Sequence, residues 1–308
     1  MNYTGPKLNP FQTVGYAVLV GVTFLLSRLP LGFHRRAGDF LGFVAGKVIR
    51  YRRDVAVKNI SRAFPDKDMD WIEETVSKFY RQFGRIFAEA IWFGSCTDAE
   101  KLKKSGIIRL SNPEALNGYY HAGRSVVVLF SHSSNWEIMA GYPCVGGGLD
   151  VDENDVFAVF KRQSMAVWDR FFFRNRIAPF GKDYDGLKEA GEILHCALAN
   201  ADVPRIYNFL NDQRPPMRAA GRVTVEFMGQ KTEAMTGAVK LAAKIGAPVM
   251  YMSMKPDGSG SYVFSFTELC GNAADVPVQD LVEKYYRCLE NDLRETPWNY
   301  LWTHKRWS

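Results

Sequence analysis

The chain has 308 residues, 47% of them apolar, enough to bury a sizeable core in one large domain or a domain with a small appendage. Its five cysteines, Cys96, Cys144, Cys196, Cys270 and Cys288, form no Cys-x-x-Cys pair and are odd in number, which argues against a disulfide framework and a zinc site and suits a reducing compartment. The net charge of +6 is local, because residues 28–62 hold nine basic and two acidic side chains, and an apolar segment directly ahead of that patch favours an anionic membrane surface over nucleic acid as its partner.

That apolar segment, residues 11–26, would form a helix of about 24 Å, short of the ~30 Å hydrocarbon core. No cleavage site follows it; Ser27-Arg28-Leu29-Pro30 comes instead, so it is not read as a signal peptide. A second apolar stretch, residues 40–49, contains Gly42 and Gly46 and ends among basic residues. Together they read as an uncleaved anchor that dips into or barely crosses one leaflet, with the basic residues facing the cytoplasm. A buried core helix would carry the same apolar residues. Residues 1–50 are therefore set apart as an anchor and basic segment, and residues 51–308 as the main domain.

Residues 66–93 read as a helix. Val76, Phe79, Tyr80, Phe83, Ile86, Phe87, Ala90 and Ile91 recur at three- and four-residue steps, as a core face or as the wall of an acyl-chain groove. From residue 125, strand-like runs (126–130, 156–160, 205–210, 223–227, 248–254, 262–266) alternate with helix-like stretches (135–142, 165–174, 187–199, 234–244, 278–294). The alternation predicts an α/β fold with a central sheet covered by helices on both faces. The turn at 255–260 predicts a hairpin, so the sheet is expected to be mixed and mostly parallel.

Within this frame, residues 130–137, Phe-Ser-His-Ser-Ser-Asn-Trp-Glu, carry the most information. They place His132 and Glu137 five positions apart, directly after an apolar strand. A neutral imidazole removes an alcohol proton near pH 7 only if held in the right tautomer, and a nearby carboxylate does that. On one continuous helix the two side chains would stand about 140° apart. His132 is therefore expected in the turn leaving the strand, and Glu137 on the first turns of the next helix.

This run resembles the His-x-x-x-x-Asp/Glu block of glycerolipid and lipid A acyltransferases, and its Asn-Trp-Glu ending is most similar to the bacterial late lipid A acyltransferases. Tyr51-Arg52-Arg53 with Asn59 and Phe64-Pro65, Asp212-Gln213, Thr236-Gly237 with the following helix and Gly246-Ala247-Pro248-Val249, and the closing Trp302-Thr303-His304-Lys305-Arg306-Trp307 resemble that family's other elements, in order, over about residues 50–308. The resemblance implies direct transfer of a fatty acyl chain from an acyl carrier protein or coenzyme A thioester to a hydroxyl of a lipid A precursor, at the cytoplasmic face of a bacterial inner membrane.

Such a reaction needs a base, a group to hold the oxyanion, and alignment of two lipophilic substrates. The resemblance implies His132 as base with Glu137 steadying it. Relatives carry a basic residue after the strand at 156–160; a gapless match gives Lys161, while Arg162 stands where the family often has proline, so both remain candidates for the oxyanion or anionic substrate groups. Arg174 and Arg176 resemble a further basic pair. Any of these is equally readable as a solvated surface cation. Asp212 and Gln213 end another strand on the same edge, where active sites of open α/β sheets gather. Asp212 reads as a positioning residue for a basic neighbour or as a turn residue. Nothing in the sequence demands a metal or redox cofactor, and no Gly-x-Ser-x-Gly elbow, phosphate-binding loop or dinucleotide fingerprint is present. The competing readings are the same chemistry on an aminolipid or lysophospholipid, and a non-catalytic lipid-binding homologue.

Overall fold

The structure, a computed structural model, describes residues 6–181, 183–200, 202–215 and 223–307. Residues 1–5 of the expected anchor segment lie outside the described residues. Helix α1 (Pro10–Leu26) opens on a reciprocal cap: the Asn9 side chain accepts the Gln12 N–H at 2.9 Å and the Gln12 side chain accepts the Asn9 N–H at 3.0 Å. Helix α2 (Leu31–Phe43) runs into one turn of π-helix (Val44–Val48), followed by α3 (Arg53–Ala63) and α4 (Met69–Phe93). Asp68 caps α4 by accepting the Trp71 N–H at 2.8 Å. No helix among the described residues is long and apolar enough to cross a membrane. The first apolar segment of the sequence forms α1, a helix of 17 residues.

Helices α2 and α4 meet backbone to backbone. A Cβ on Gly38 would lie 2.7 Å from Arg85 Cα, one on Gly42 would lie 2.8 Å from the Tyr80 carbonyl carbon, and one on Gly84 would lie 2.8 Å from Gly42 Cα. Only hydrogen at these positions permits the approach. Beside the contact, Arg85 of α4 grips Asp39 of α2 through two hydrogen bonds, at 2.5 and 2.9 Å. The second apolar stretch of the sequence is in this way locked to the body of the protein.

The rest of the chain builds the sheet. Helix α5 (Ala99–Ser105), strand β1 (Ile108–Leu110) and helix α6 (Glu114–His121) lead to the central strand β2 (Val126–Phe130). Then come β3 (Val156–Phe160), α7 (Ala166–Arg176), β4 (Leu187–Glu189), α8 (Ile193–Ala199), β5 (Ile206–Leu210), β6 (Val223–Phe227), β7 (Gln230–Ala234), α9 (Gly237–Ile245), β8 (Val249–Pro256), β9 (Tyr262–Cys270) and α10 (Val278–Glu295). Seven strands form one sheet in the order β1-β9-β8-β2-β5-β3-β4, parallel throughout except for the β8–β9 hairpin. All five residues of β2 are buried. Val127 and Leu129 point into one core with α3, α4, α9 and α10, whereas Val126, Val128 and Phe130 point into a second core on the other face. Leu281, Tyr285, Leu289 and Leu293 line the buried side of α10.

The mixed, mostly parallel sheet follows the sequence reading; three details depart from it. Residues 135–142 do not form an α-helix but a turn leading into a 3-10 segment, Met139–Val145, with Pro143 inside it. Residues 187–199 begin with edge strand β4 before they become helical. Strand β6 leaves the sheet and pairs with β7, whose polar sequence Gln-Lys-Thr-Glu-Ala gave no strand signal. Gly42→Val is expected to cost about 1–3 kcal/mol by overpacking, read as a drop in denaturant midpoint. Gly15→Ala, whose Cβ meets nothing within 4 Å, should cause no loss.

Candidate active site

Parallel pairing of β2 and β5 sets the site. Phe130 lies opposite Leu210, and each strand then runs two residues past the sheet edge, to His132 and to Asp212. Equal run-out from a paired position brings the two side chains together, with His132 Nδ1 2.7 Å from Asp212 Oδ1. Their side chains are 13% and 2% exposed, so the imidazole reaches a cleft while the carboxylate does not reach water. Burial works against ionisation of Asp212, but its interaction with the His132 ring and hydrogen bonds from that ring and from the backbone outweigh it and hold the carboxyl below its ordinary range.

A carboxylate only accepts, so Nδ1 carries the proton and Nε2 presents a lone pair. The Gln213 amide nitrogen lies 3.1 Å from Nε2 and donates to it. Gln213 thus caps the free nitrogen of the His132 ring. The cleft in front is narrow, about 10 Å³, and is lined by Phe79, Phe83, Ile86, Trp136, Trp298 and Tyr300, with Gln82 at its wall. The aromatic stripe of α4 is divided: Val76 and Tyr80 sit in the core, and Phe79, Phe83 and Ile86 line the cleft.

The turn carrying His132 is clamped from two sides. Ser134 adopts φ of 51°, a left-handed conformation that costs a non-glycine residue about 1–3 kcal/mol. Its N–H donates to Asn299 Oδ1 at 2.7 Å and its hydroxyl to the Met254 carbonyl at 2.7 Å. Asn135 points inward and donates at 2.9 Å to Glu89, a carboxylate only 1% exposed that also accepts from Tyr262 at 2.7 Å and pairs with Arg35 at 3.1 Å.

This inward-facing turn accounts for a departure at Glu137. The five-residue spacing suggested a pair with His132, but the residue at Nδ1 is Asp212, from 80 positions downstream. Glu137 instead receives two hydrogen bonds from Arg176 of α7, at 3.0 and 2.9 Å. Both side chains are largely buried, 10% and 19% exposed. Arg176, expected to be a substrate cation, is a partnered one. Lys161 and Arg162 leave β3 on the same sheet edge, two strands from β2. Arg162 pairs with Glu189 of β4 at 2.5 Å, and Lys161 is exposed, without an ion pair among the described residues.

Glu89 and Asn299 were not singled out from the sequence. A lone carboxylate on the apolar face of α4, between Ile86 and Ala90, was the available signal for Glu89. Asn299 sits between Trp298 and Tyr300, a polar residue in an aromatic run. In the closing motif, Trp302 is wholly buried and Arg306 donates to Tyr286 and to the Glu233 carbonyl. Burial chiefly lowers the His304 pKa, with the charges of Asp212, Arg306 and His132 also felt there. Among the described residues no group of three His, Cys, Asp or Glu side chains converges as a metal site.

The model of the bacterial lipid A biosynthesis acyltransferase family matches residues 6–308. No curated protein matches the chain. The chain belongs to the bacterial lipid A biosynthesis acyltransferase family.

Asp212→Asn should favour the opposite tautomer, because an amide can donate to Nδ1, and lower kcat by about 10³–10⁴. A carboxyl held below its unfolded value lends stability above about pH 4, lost as pH falls through and below that value. Melting temperature should therefore fall less steeply in the variant than in wild type between about pH 5 and pH 3. For Glu137→Gln, Arg176→Gln and their double variant, a thermodynamic cycle should give a coupling of about 1–3 kcal/mol in stability, the signature of a buried pair that acts as one unit.

Proposed function

We propose that this protein is a membrane-associated O-acyltransferase that moves a fatty acyl chain from an acyl thioester to a hydroxyl of a lipid A precursor. The donor thioester is carried by acyl carrier protein or coenzyme A. The observation that carries the reading is the His132–Asp212 contact at 2.7 Å, facing an aromatic cleft.

In this reading the acceptor hydroxyl displaces the Gln213 amide and donates to His132 Nε2. As its proton moves to Nε2, the hydroxyl oxygen forms a bond to the thioester carbonyl carbon, and the carbonyl oxygen takes the charge. Asp212 keeps the proton on Nδ1 and stabilises the imidazolium. Collapse of the tetrahedral species breaks the C–S bond, and the imidazolium returns its proton to the leaving thiolate. No covalent acyl-enzyme forms. Base catalysis of this kind is worth about 10²–10⁴ in rate. Arg176, fixed by Glu137 beside the His132 turn, and Lys161, exposed at the same sheet edge, are the cations proposed to hold the oxyanion or anionic substrate groups.

Placement at the cytoplasmic face of a bacterial inner membrane is supported by the basic residues 28–62, which follow the apolar N-terminal segment. His132→Ala is expected to fold, to bind membranes as wild type does, and to lose detectable transfer from a thioester donor; retained transfer would remove His132 as the base. Mass spectrometry of membrane lipids with and without the gene identifies the acceptor. A missing secondary acyl chain on lipid A supports the proposal, and an unchanged lipid A beside an altered aminolipid or lysophospholipid overturns it.

A further inference from the structure

Two motifs of the sequence take no part in the proposed reaction: Tyr51-Arg52-Arg53 with Asn59 and Phe64, and the closing Trp302-Thr303-His304-Lys305-Arg306-Trp307. In the structure they are one assembly. Asn59 of α3 is buried and donates through its amide nitrogen to the carbonyls of Trp302, at 2.9 Å, and His304, at 2.8 Å. Arg52, just ahead of α3, donates to the Thr303 carbonyl at 3.3 Å, and Arg62 of its last turn donates to the Trp307 carbonyl at 2.5 Å. The Phe64 and Trp302 rings meet edge-on, 6.4 Å apart. The closing motif is neither helix nor strand, so its carbonyls need donors from outside, and α3 supplies them.

The same closing segment reaches the candidate active site. Asn299 is buried; it accepts the Ser134 N–H at 2.7 Å and donates to the Met254 carbonyl at 2.9 Å, so one side chain ties the His132 turn to β8. The Tyr300 hydroxyl lies 3.4 Å from the Asp212 carbonyl. Arg306 donates at 2.7 Å to the Tyr286 hydroxyl, which lies 3.5 Å from the carbonyl of Asn211, the residue before Asp212.

These contacts fall where the sheet stops. The pairing of β2 with β5 closes with the Asn211 N–H donating to the Phe130 carbonyl at 3.0 Å, a carbonyl that also accepts from Tyr285 at 3.0 Å. Beyond that bond the two run-outs are held from other elements. Displacing a reacting group by about 1 Å is enough to cost about 10² in rate, so whatever holds the run-outs also sets the reactivity of His132.

We infer that the closing segment is a brace for the His132–Asp212 pair, with Asn299 and Tyr300 as its positioning residues and Asn59 as the buckle that holds it down. The inference rests on the acyltransferase reading for its effect on turnover, and not for its effect on the pair itself.

Asn59 makes no hydrogen bond to His132 or Asp212 among the described residues, so its effect at the site is the test. In the full chain with isotope-labelled histidine, the proton that His132 Nδ1 holds against a carboxylate should give a downfield imidazole signal, identified by its absence from Asp212→Asn. Asn59→Leu and Asn299→Ala should each weaken or abolish that signal while the rest of the spectrum stays native. They should also lower kcat about 10²-fold with KM near the wild-type value. In an Asp212→Asn background, Asn59→Leu should cost less than about twofold more, because it acts through the pair. A native signal with wild-type kcat in the folded variants overturns the brace, as does an equal fold-loss of kcat in both backgrounds. If Asn59→Leu does not fold, Arg306→Lys carries the same comparison, because its single ammonium cannot replace the fork that bonds Tyr286 and the Glu233 carbonyl. The imidazole signal needs no turnover: its loss in the variants, with wild-type protein inactive on a thioester donor, would count against acyl transfer and leave the brace in place.

Discussion

A carboxylate sealed from water is costly to keep charged, and the site depends on the way this protein keeps one. Asp212 has His132 as its ionisable partner, and that imidazole is the one group of the pair that reaches the cleft. The same contact therefore compensates the buried charge and fixes the tautomer of the imidazole. Stability and reactivity draw on one hydrogen bond of 2.7 Å, so neither partner can be altered without disturbing the other.

Around that pair the protein is rigid in a specific sense. The turn from Ser131 to Glu137 is held by groups on several elements: Asn299 near the C-terminus, Glu89 of α4, the Met254 carbonyl of β8 and Arg176 of α7. Glu89 is also tied to Arg35 of α2, and α2 is fixed to α4 by its glycines. Helix α2 is thus part of the scaffold that sets the geometry of the His132 turn.

Much of the fold was legible because its signals are local. The apolar runs of β2, β3 and β5 and the four-residue steps of α10 name their own structures. Strands β4 and β7 were not legible, because short or polar edge strands owe their conformation to a neighbour. At the site, His132 was evident from one segment, and Asp212 was found as a positioning residue at a strand end. What spacing could not supply was the choice between Asp212 and Glu137 as the partner of His132. That choice follows from β5 lying next to β2, and from the Asn135 side chain turning inward to Glu89.

The matched run-out of β2 and β5 also dictates where this fold can lengthen. Side chains alternate faces along an extended chain, so adding or removing one residue between Phe130 and His132, or between Leu210 and Asp212, would aim one partner away from the other. The two segments are coupled rulers, two residues each. Diversification of length belongs elsewhere, at turns remote from both strand ends.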